Sequence, residues 1–357
     1  MSAKCCGANC AASPQREHDA AAPGRLGGSG RCVRWLCEHG GLVSTAAAGG
    51  PWQDLGLQCL QRDWLSANHI VFAGTPEAPA TVVDTGHVRH APMTLALIDQ
   101  ALAGQPLQRI VNTHLHSDHC GGNAALQARD PAVSTWVPAA SLGAVQAWDT
   151  QRLSYRPTGQ QCASFRADGG LQHGQWLNLG PACWRAISAP GHDPDAVMLF
   201  EPESRTLIAG DALWQDRLAI IFPELDDAPG FAVTRQTLAL IEGLRPRWVV
   251  PGHGQPFEDV AGALASSRQR LTAFEREPLR HVRHAARALT MFHMMECRQQ
   301  DRQHLLDWLM ETPLFRRMAG KLAGPMGPAA WAQGLLQGLE DEGLLLRSGD
   351  SLLLPAG

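Results

Sequence analysis

Short apolar segments rich in β-branched residues recur between residues 55 and 254 and predict β-strands. Order is expected to begin near residues 55–61, and the predicted strands are 69–74, 80–86, 108–114, 134–138, 175–179, 182–191, 196–202, 206–211 and 247–254. Helical patterns at 92–104 and 230–243 interrupt these runs of strands. The arrangement indicates a mixed α/β (α+β) fold with two sheets and helices packed outside them.

From about residue 258 the pattern changes to a helical period. Helices are predicted at 259–277, 302–311 and 328–342, and two leucine runs around Ser348-Gly349-Asp350 predict a β-hairpin. Helices followed by a hairpin outline a winged helix-turn-helix domain. Residues 328–342 contain no lysine or arginine, whereas the recognition helix of a DNA-binding domain is basic. We therefore expect a structural or dimerising role, and a homo-oligomer stays open.

The pattern divides the chain into three parts. Residues 1–50 are rich in alanine, glycine and serine and show no sustained periodicity, so a disordered or weakly ordered tail is expected. The α/β domain is predicted at 51–258, and the helical, winged-helix-like domain at 259–357.

Composition and charge exclude several function classes. A net charge of −4 gives no general attraction to nucleic acid or to anionic membranes. No stretch approaches the roughly 18 uncharged apolar residues that span a bilayer. The N-terminus lacks the apolar region of a secretory signal, so a cytoplasmic location is expected.

The segment THLHSDHCGG at 113–122 brings together His114, His116, Asp118 and His119. His114 and His116 are two positions apart, so on an extended chain they point to the same side. Imidazole and carboxylate groups are the usual ligands of zinc and iron. Three histidines and one aspartate within six residues could complete one metal site or begin two.

Further residues of ligand type follow predicted strands downstream. His192 lies in APGHD, Asp211 in LIAGDA and His253 in VVPGHG, each at the end of an apolar segment and beside glycine. There a side chain can reach the open edge of a sheet. Together with the cluster they make seven residues of ligand type and predict a metal centre.

The order HxHxDH, then His, Asp and His, resembles the metallo-β-lactamase superfamily. The segment VVDTG, with Asp84, Thr85 and Gly86, is similar to the first motif of that superfamily, and the resemblance covers roughly residues 55–260. It implies an αββα metallo-β-lactamase sandwich with the metals at one sheet edge. It also implies two divalent metal ions, with zinc expected first and iron or manganese open.

The resemblance also implies a role for each ligand residue. Three histidines, His114, His116 and His192, would hold the first metal. Asp118, His119 and His253 would hold the second, and Asp211 would bridge the two. Two cations about 3.5–4 Å apart share a water whose pKa falls toward neutrality, and the resulting hydroxide attacks an acyl or phosphoryl centre. Asp118 and Asp211 are accordingly the predicted catalytic carboxylates of a hydrolase.

Three other residues are candidates for supporting roles. Asp84 is expected to orient a ligand histidine, although an aspartate that simply closes a strand is the alternative. His87 could line the pocket, although a solvated loop histidine is the alternative. Trp214, after Asp211, is expected in the pocket wall.

The substrate class depends on the pocket wall rather than on the metals. β-Lactamases of this fold do not place an aspartate at the position of Asp211, so the glyoxalase II-like, lactonase-like and nuclease-like branches are favoured. The loops after Asp84 and Asp211 are apolar, with Arg217 as the nearest evident cation. We therefore expect a small ester, thioester or lactone substrate. A persulfide-dioxygenase-like oxidoreductase and an RNA or phosphodiester hydrolase of the same fold are the alternatives.

Overall fold

A computed structural model describes residues 50–355, and two β-sheets form the centre of this part of the chain. The predicted tail at 1–50 lies outside the described residues, apart from Gly50. The first sheet has the order β1-β2-β3-β4-β5-β6, with β1 at Leu57–Leu60, β2 at His69–Phe72, β3 at Thr81–Val83, β4 at Arg109–Val111, β5 at Ser134–Pro138 and β6 at Gly169–Leu171. The second has the order β11-β10-β9-β8-β7, with β7 at Trp176–Leu179, β8 at Ala182–Ser188, β9 at Val197–Glu201, β10 at Thr206–Gly210 and β11 at Trp248–Pro251.

Helices cover the outer face of each sheet and complete an αββα sandwich. The helices α1 (Ala91–Leu102) and α3 (Asn123–Arg129) pack on the first sheet. The second sheet is covered by α7 (Gly230–Leu244) and α8 (Val260–Arg276). The remaining helices of this region are short: α2 at Ser117–Cys120, α4 at Leu142–Ala147, α5 at Tyr155–Thr158 and α6 at Phe222–Leu225.

The alternation of side chains along the strands explains this layering. In β2, Ile70 and Phe72 lie in the apolar layer between the sheets, whereas Val71 packs against the outer helices. In β10, Ile208 faces the inner layer and Leu207 the outer one. Successive side chains of a strand point to opposite faces, so a strand covered on both faces must be apolar at every position.

Parallel pairing places several strand ends at one edge of the sandwich. Strand β3 pairs in parallel with β4, with Val83 opposite Val111. Strand β10 pairs in parallel with β11, with Gly210 opposite Pro251. The carboxyl ends of parallel strands meet at the same edge of a sheet, and ligands bind in crevices outside such ends. The loops after these four strands are therefore neighbours.

The remaining chain forms a helical unit with a small sheet of its own. It contains α9 (Pro278–Cys297), α10 (Arg302–Glu311), α11 (Pro313–Leu322) and α12 (Gly327–Asp341). A three-stranded sheet of order β12-β14-β13 completes it, with β12 at Gln299–Asp301, β13 at Leu346–Ser348 and β14 at Ser351–Leu353. An apolar cluster that includes Leu305, Phe315 and Leu336 holds these elements together.

The αββα expectation is confirmed, and the predicted hairpin is present at β13 and β14. Strands β6 and β12 and helix α11 were not predicted. The two strands read GGL and QQD, and neither has an alternating apolar pattern. The winged-helix interpretation and the boundary between residues 258 and 259 stay predictions. Helix α8, which follows that boundary, shares the apolar cluster of the second sheet through Ala263, Leu264 and Leu271. None of the helices formed by residues 50–355 is long and apolar enough to cross a membrane.

Helix α9 carries the buried carboxyl group of Glu296, a residue that is only 4% exposed. Its Oε1 has no hydrogen-bond partner among the described residues, and its Oε2 lies 4.0 Å from Nδ1 of His293. Burial raises the pKa of Glu296 from 4.5 to about 7, against the opposing charge of Arg89. The folded protein therefore holds this proton more tightly than the unfolded chain does.

Because the folded-state pKa is raised, the stability contribution of Glu296 is lost as the pH rises from about 4.5 to about 7. We expect Glu296→Gln to increase the free energy of unfolding by about 1–3 kcal/mol at pH 8. The difference from the wild type should vanish below about pH 4, where Glu296 is protonated in the folded and in the unfolded chain. Urea unfolding at the two pH values measures it, with the exposed Glu311→Gln as control. A difference that is equal at both pH values would contradict the titration.

Candidate metal centre

The seven residues of ligand type meet at the sheet edge formed by the loops after β4, β8, β10 and β11. The cluster residues follow β4 and enter α2, and backbone hydrogen bonds fix this segment from both sides. The amide of Thr85 donates to the carbonyl of His119 at 2.7 Å, and the amide of Ala67 donates to the carbonyl of Asp118 at 2.9 Å. The amide of Gly252 donates to the carbonyl of Gly210 at 2.7 Å. The amide of Asn68, just before β2, donates to the carbonyl of Gly252 at 2.7 Å, and this contact joins the loops of the two sheets.

The donor atoms of these side chains point at one another. Nδ1 of His116 lies 2.8 Å from Nε2 of His192. Nε2 of His253 lies 3.1 Å from Oδ2 of Asp118. Asp211 stands between the two groups, because its Oδ1 lies 3.4 Å from Nε2 of His119 and its Oδ2 lies 3.6 Å from Nε2 of His192. The sequence-predicted ligands are thus brought together, all seven of them.

Three overlapping sets of these residues have donor atoms within 4.8 Å of one another. The sets are His114, His116 and His192; His114, His119 and Asp211; and Asp118, His119 and His253. Nε2 of His114 and Nε2 of His119 are buried and have no hydrogen-bond partner among residues 50–355. Buried polar atoms normally have partners. Imidazole nitrogens and carboxylate oxygens at this spacing suit a divalent cation such as zinc.

The electrostatics around His114, His116 and Asp118 favour the protonation states that metal ligands need. Burial, with the neighbouring histidines, lowers the pKa of His114 well below its usual value and that of His116 to about 3. Burial opposes the ionisation of Asp118, but His119 and His253 lower its pKa to about 2. Neutral imidazoles and ionised carboxylates are the metal-binding forms of these groups.

His119 has a different environment, because carboxylates surround it. Burial alone would lower its pKa, but Asp211, Asp84 and Asp118 raise it well above the usual value. The same pairing, against burial, lowers the pKa of Asp211 well below its usual value. A cation placed among these groups would take over the role of the imidazolium proton in balancing the carboxylates.

Asp84 contacts Nδ1 of His119, the ring nitrogen that does not face the other donor atoms. Its Oδ2 accepts a hydrogen bond from Nδ1 of His119 at 2.7 Å and another from the hydroxyl of Thr113 at 2.7 Å. Its Oδ1 accepts from the backbone amide of Thr113 at 2.9 Å. The backbone of Asp84 is left-handed, with φ of 57°, a conformation that costs energy in a non-glycine residue. These contacts turn Nε2 of His119 toward the other donor atoms.

The other two predicted supporting residues lie in different places. Nε1 of Trp214 donates to Oδ1 of Asp211 at 3.1 Å, and its ring lines the pocket. His87 is fully buried and is neither a solvated loop residue nor part of the pocket lining. Its ring contacts Phe292 edge-to-face at 5.9 Å, and its Nδ1 accepts from the amide of Arg89. The pocket expectation for His87 is wrong because Phe292 of α9 covers it.

Gly252 lets the loop after β11 approach the centre. A Cβ atom at this position would lie 2.2 Å from Oδ1 of Asp211 and 2.8 Å from Cε1 of His119. No side chain can be accommodated at that distance without moving both ligand-type residues. Gly252, the first glycine of the GHG segment, is therefore required by the packing around Asp211.

A cavity of about 540 Å³ opens beside the donor atoms. One wall comes from the loop after β10 and contains Trp214, Leu218, Ile220 and Phe222. The opposite wall comes from α9 and contains Ala288, Leu289, Met291, Phe292 and Met295. The sequence interpretation missed the α9 wall, because these residues look like the apolar face of any packed helix.

A second missed residue, Trp64, forms the side of the cavity next to His253. Its ring stacks on the imidazole of His253, with centroids 5.2 Å apart and planes 10° apart. It also contacts Trp214 edge-to-face at 5.5 Å. The sequence offers no signal for this contact, because the two residues of the stacked pair are far apart along the chain.

If Asp84 orients His119, its replacement should weaken metal binding. We expect Asp84→Asn to lower metal affinity by about 10–100-fold, the usual effect of changing a residue that supports a ligand histidine. Zinc titration against a competing chelator measures the affinity. The control is Asp54→Asn, because Asp54 is exposed. Unchanged zinc affinity in a folded Asp84→Asn variant would contradict this role.

Comparisons with known proteins agree with this architecture. A hydroxyacylglutathione hydrolase of Synechococcus sp. (strain JA-3-3Ab) is 29% identical over 159 residues, which are 44% of this chain and 54% of that protein. A thioesterase of Emericella nidulans is 24% identical over 186 residues, covering 52% of this chain and 45% of that protein. This chain spans about half the length of the curated relatives that it matches.

The fold and the family are supported by two further comparisons. The crystal structure of a beta-lactamase domain protein from Burkholderia ambifaria covers 87% of this chain and 92% of its own, with a TM-score of 0.53 and 21% identity. This likeness shows the fold. The family model described as the metallo-beta-lactamase superfamily matches residues 62–253, more than half of the 357 residues. The chain therefore belongs to the metallo-β-lactamase superfamily.

Proposed function

We propose that this chain is a metal-dependent hydrolase of small acyl substrates, with thioesters first, and esters and lactones as related substrates. The observation that carries the proposal is the opening of an apolar cavity directly onto the converging donor atoms. Concave, mostly apolar cavities with a few convergent polar groups are the usual binding sites of small molecules. A partly apolar acyl group suits such walls.

The proposed metal set follows the three groups of neighbouring donors. His114, His116 and His192 would hold one divalent ion, and Asp118, His119 and His253 would hold the other. Asp211 lies between them and would contact both. Zinc suits this donor set best, and iron and manganese are the other candidates. Two such ions, when bound, lower the pKa of a shared water and polarise the substrate carbonyl.

The protein's own groups would position the reactants and manage the proton. Asp118 and Asp211 line the cavity floor, and their lowered pKa values keep both carboxylates ionised, the form that binds a divalent cation. Trp214 holds the carboxylate of Asp211 through its indole N–H. Trp64, stacked on His253, gives that side of the cavity an aromatic wall.

The thioester class is favoured by two independent points. The relatives named above include a thioesterase and a hydroxyacylglutathione hydrolase, and the latter name denotes a thioester substrate. The cavity wall formed by α9 is apolar over Ala288, Leu289 and Phe292, which suits an acyl chain. Helix α12, through which a winged-helix domain would contact DNA, contains neither lysine nor arginine and so offers no basic surface to a nucleic acid.

Metal analysis combined with kinetics tests the proposal. We expect close to two metal ions per chain, and hydrolysis of a short-chain acyl thioester that stops when a chelator removes the metal. Asp211→Ala should lose metal and lower kcat/KM by at least about 100-fold, because it removes the carboxylate that contacts both ions. Asp54→Ala serves as the control, since Asp54 is exposed and distant from the cavity.

Two results would refute this proposal. One is a folded Asp211→Ala variant with full metal content and full turnover. The other is a metal-loaded wild type that cleaves RNA but hydrolyses no thioester, ester or lactone. The first would remove the role of Asp211, and the second would replace the substrate class.

A further inference from the structure

Three arginines from three different segments lie around the outer part of the cavity. Arg217 comes from the loop after β10, Arg270 from α8 and Arg280 from α9, and all three are exposed and line the cavity. The sequence interpretation recognised only Arg217, because Arg270 and Arg280 lie in arginine-rich helices that look like ordinary solvated surfaces.

None of these three guanidinium groups forms an ion pair with a carboxylate in the part of the chain that the structure describes. Arg217 lies over the ring of Trp64 at 4.8 Å, and Arg270 donates to the backbone carbonyl of Asp216 at 2.9 Å. By contrast, Arg268, two residues before Arg270, pairs with Glu242 at 2.7 Å. The positive charge at the cavity is therefore not neutralised by the protein.

The effect of this charge is seen at His284, which lines the same cavity. Burial, followed by the charges of Arg270, Arg217 and Arg287, lowers the pKa of His284. The positive charges of Arg270 and Arg217 therefore both act at the position of His284, although the two arginines belong to different segments. An anion bound there would feel the same combined field, with the opposite sign of interaction.

A second cavity of about 320 Å³ continues from the first and shares Arg270, Phe274 and Arg280 with it. Its remaining lining residues are Ser266, Gln269 and Ala273, and none of the seven ligand-type residues contacts it. Arg270 and Arg280 therefore lie on the side of the cleft away from the metal donors, whereas Arg217, over the ring of Trp64, lies between them and His253. The hydroxyl of Ser266 and the amide of Gln269 provide further hydrogen-bond donors on that side.

The two ends of the cleft have different chemistry. The inner end contains the metal donors, and the wall between includes Leu289, Phe292 and Met295. A ligand that uses the whole cleft has a reactive carbonyl at one end, an uncharged arm, and an anionic group at the other. A single carboxylate is satisfied by one guanidinium fork, whereas three guanidinium groups suit a multiply charged phosphate.

We propose that Arg217, Arg270 and Arg280 bind the phosphate groups of the substrate's leaving group, so that the substrate is an acyl thioester of a phosphorylated carrier thiol. This inference rests on the proposed function. Water adds its oxygen to the acyl carbon, the C–S bond breaks, and the sulfur leaves as a thiol that has taken a proton from that water. The products are a carboxylate with a released proton and the phosphorylated thiol.

Matched thioesters with one acyl group test the inference. The probes are butyryl-coenzyme A, which carries phosphates, S-butyrylglutathione, which carries carboxylates, and S-butyryl-N-acetylcysteamine, which is neutral. We expect kcat/KM to be at least tenfold higher for the coenzyme A thioester than for the neutral one. The double variant Arg270→Gln/Arg280→Gln should lower the coenzyme A value by about 10–100-fold and leave the neutral value within twofold, because only charged hydrogen bonds are lost.

Arg268→Gln is the matched control, because it removes a charge from the same helix on a side chain that already pairs with Glu242. It should leave all three substrates unchanged. Binding of desulfo-coenzyme A, measured by calorimetry, gives a readout independent of turnover, since this probe lacks the thiol and the acyl group. We expect it to bind the wild type and to bind the double variant at least tenfold more weakly.

The outcomes separate this inference from the proposed function. Turnover of the neutral thioester with no preference for the coenzyme A thioester, and no binding of desulfo-coenzyme A, overturns the inference and leaves the function. A preference for the glutathione thioester that depends on the same arginines overturns the assignment to phosphate. Desulfo-coenzyme A binding without hydrolysis of any thioester supports the phosphate site and overturns the function. Arginine-dependent RNA cleavage without thioester turnover overturns both.

Discussion

The hydrogen bonds that Asp84 accepts from Thr113 and His119 are the contact on which the centre depends. They join the end of β3 to the loop after β4, and they set the direction of the His119 ring at the point where the metal donors meet. This arrangement costs free energy in the backbone, because Asp84 is in the left-handed conformation with a φ of 57°. A buried carboxylate with three well-aligned donors offsets this strain, and its burial shields the network from water.

The centre gathers charges that a protein interior would otherwise avoid. Asp118, His119 and Asp211 lie close together and are mostly buried. Replacing one of them leaves an uncompensated charge in the interior and lowers the free energy of unfolding. The surrounding loops are held by short hydrogen bonds and by the close approach of Gly252. These backbone contacts therefore fix the loops that carry the donor side chains.

The two parts of the described chain contribute different things to the cleft. The sandwich supplies the metal donors, whereas helix α9 supplies the apolar wall and Arg280. The loop after β10 connects them, because the amide of Ile221 donates to Nε2 of His281 on α9 at 3.1 Å. Leu225, at the end of α6, lies in the apolar cluster of the helical unit. The helical unit thus shapes the cavity beside the candidate metal centre.

The sequence by itself determined most of the strands, the αββα class and the superfamily, whereas β6 and β12 carry no apolar pattern that predicts them. It also predicted the seven residues of ligand type, because each follows an apolar strand and carries a chemically distinctive side chain. Only the tertiary structure decided that Phe292 covers His87, that Trp64 stacks on His253, and that Arg270 and Arg280 meet Arg217 at one cavity. Strand ends are encoded by local alternation. The position of α9 over the cleft depends on packing between segments far apart in the chain, and no local period records it.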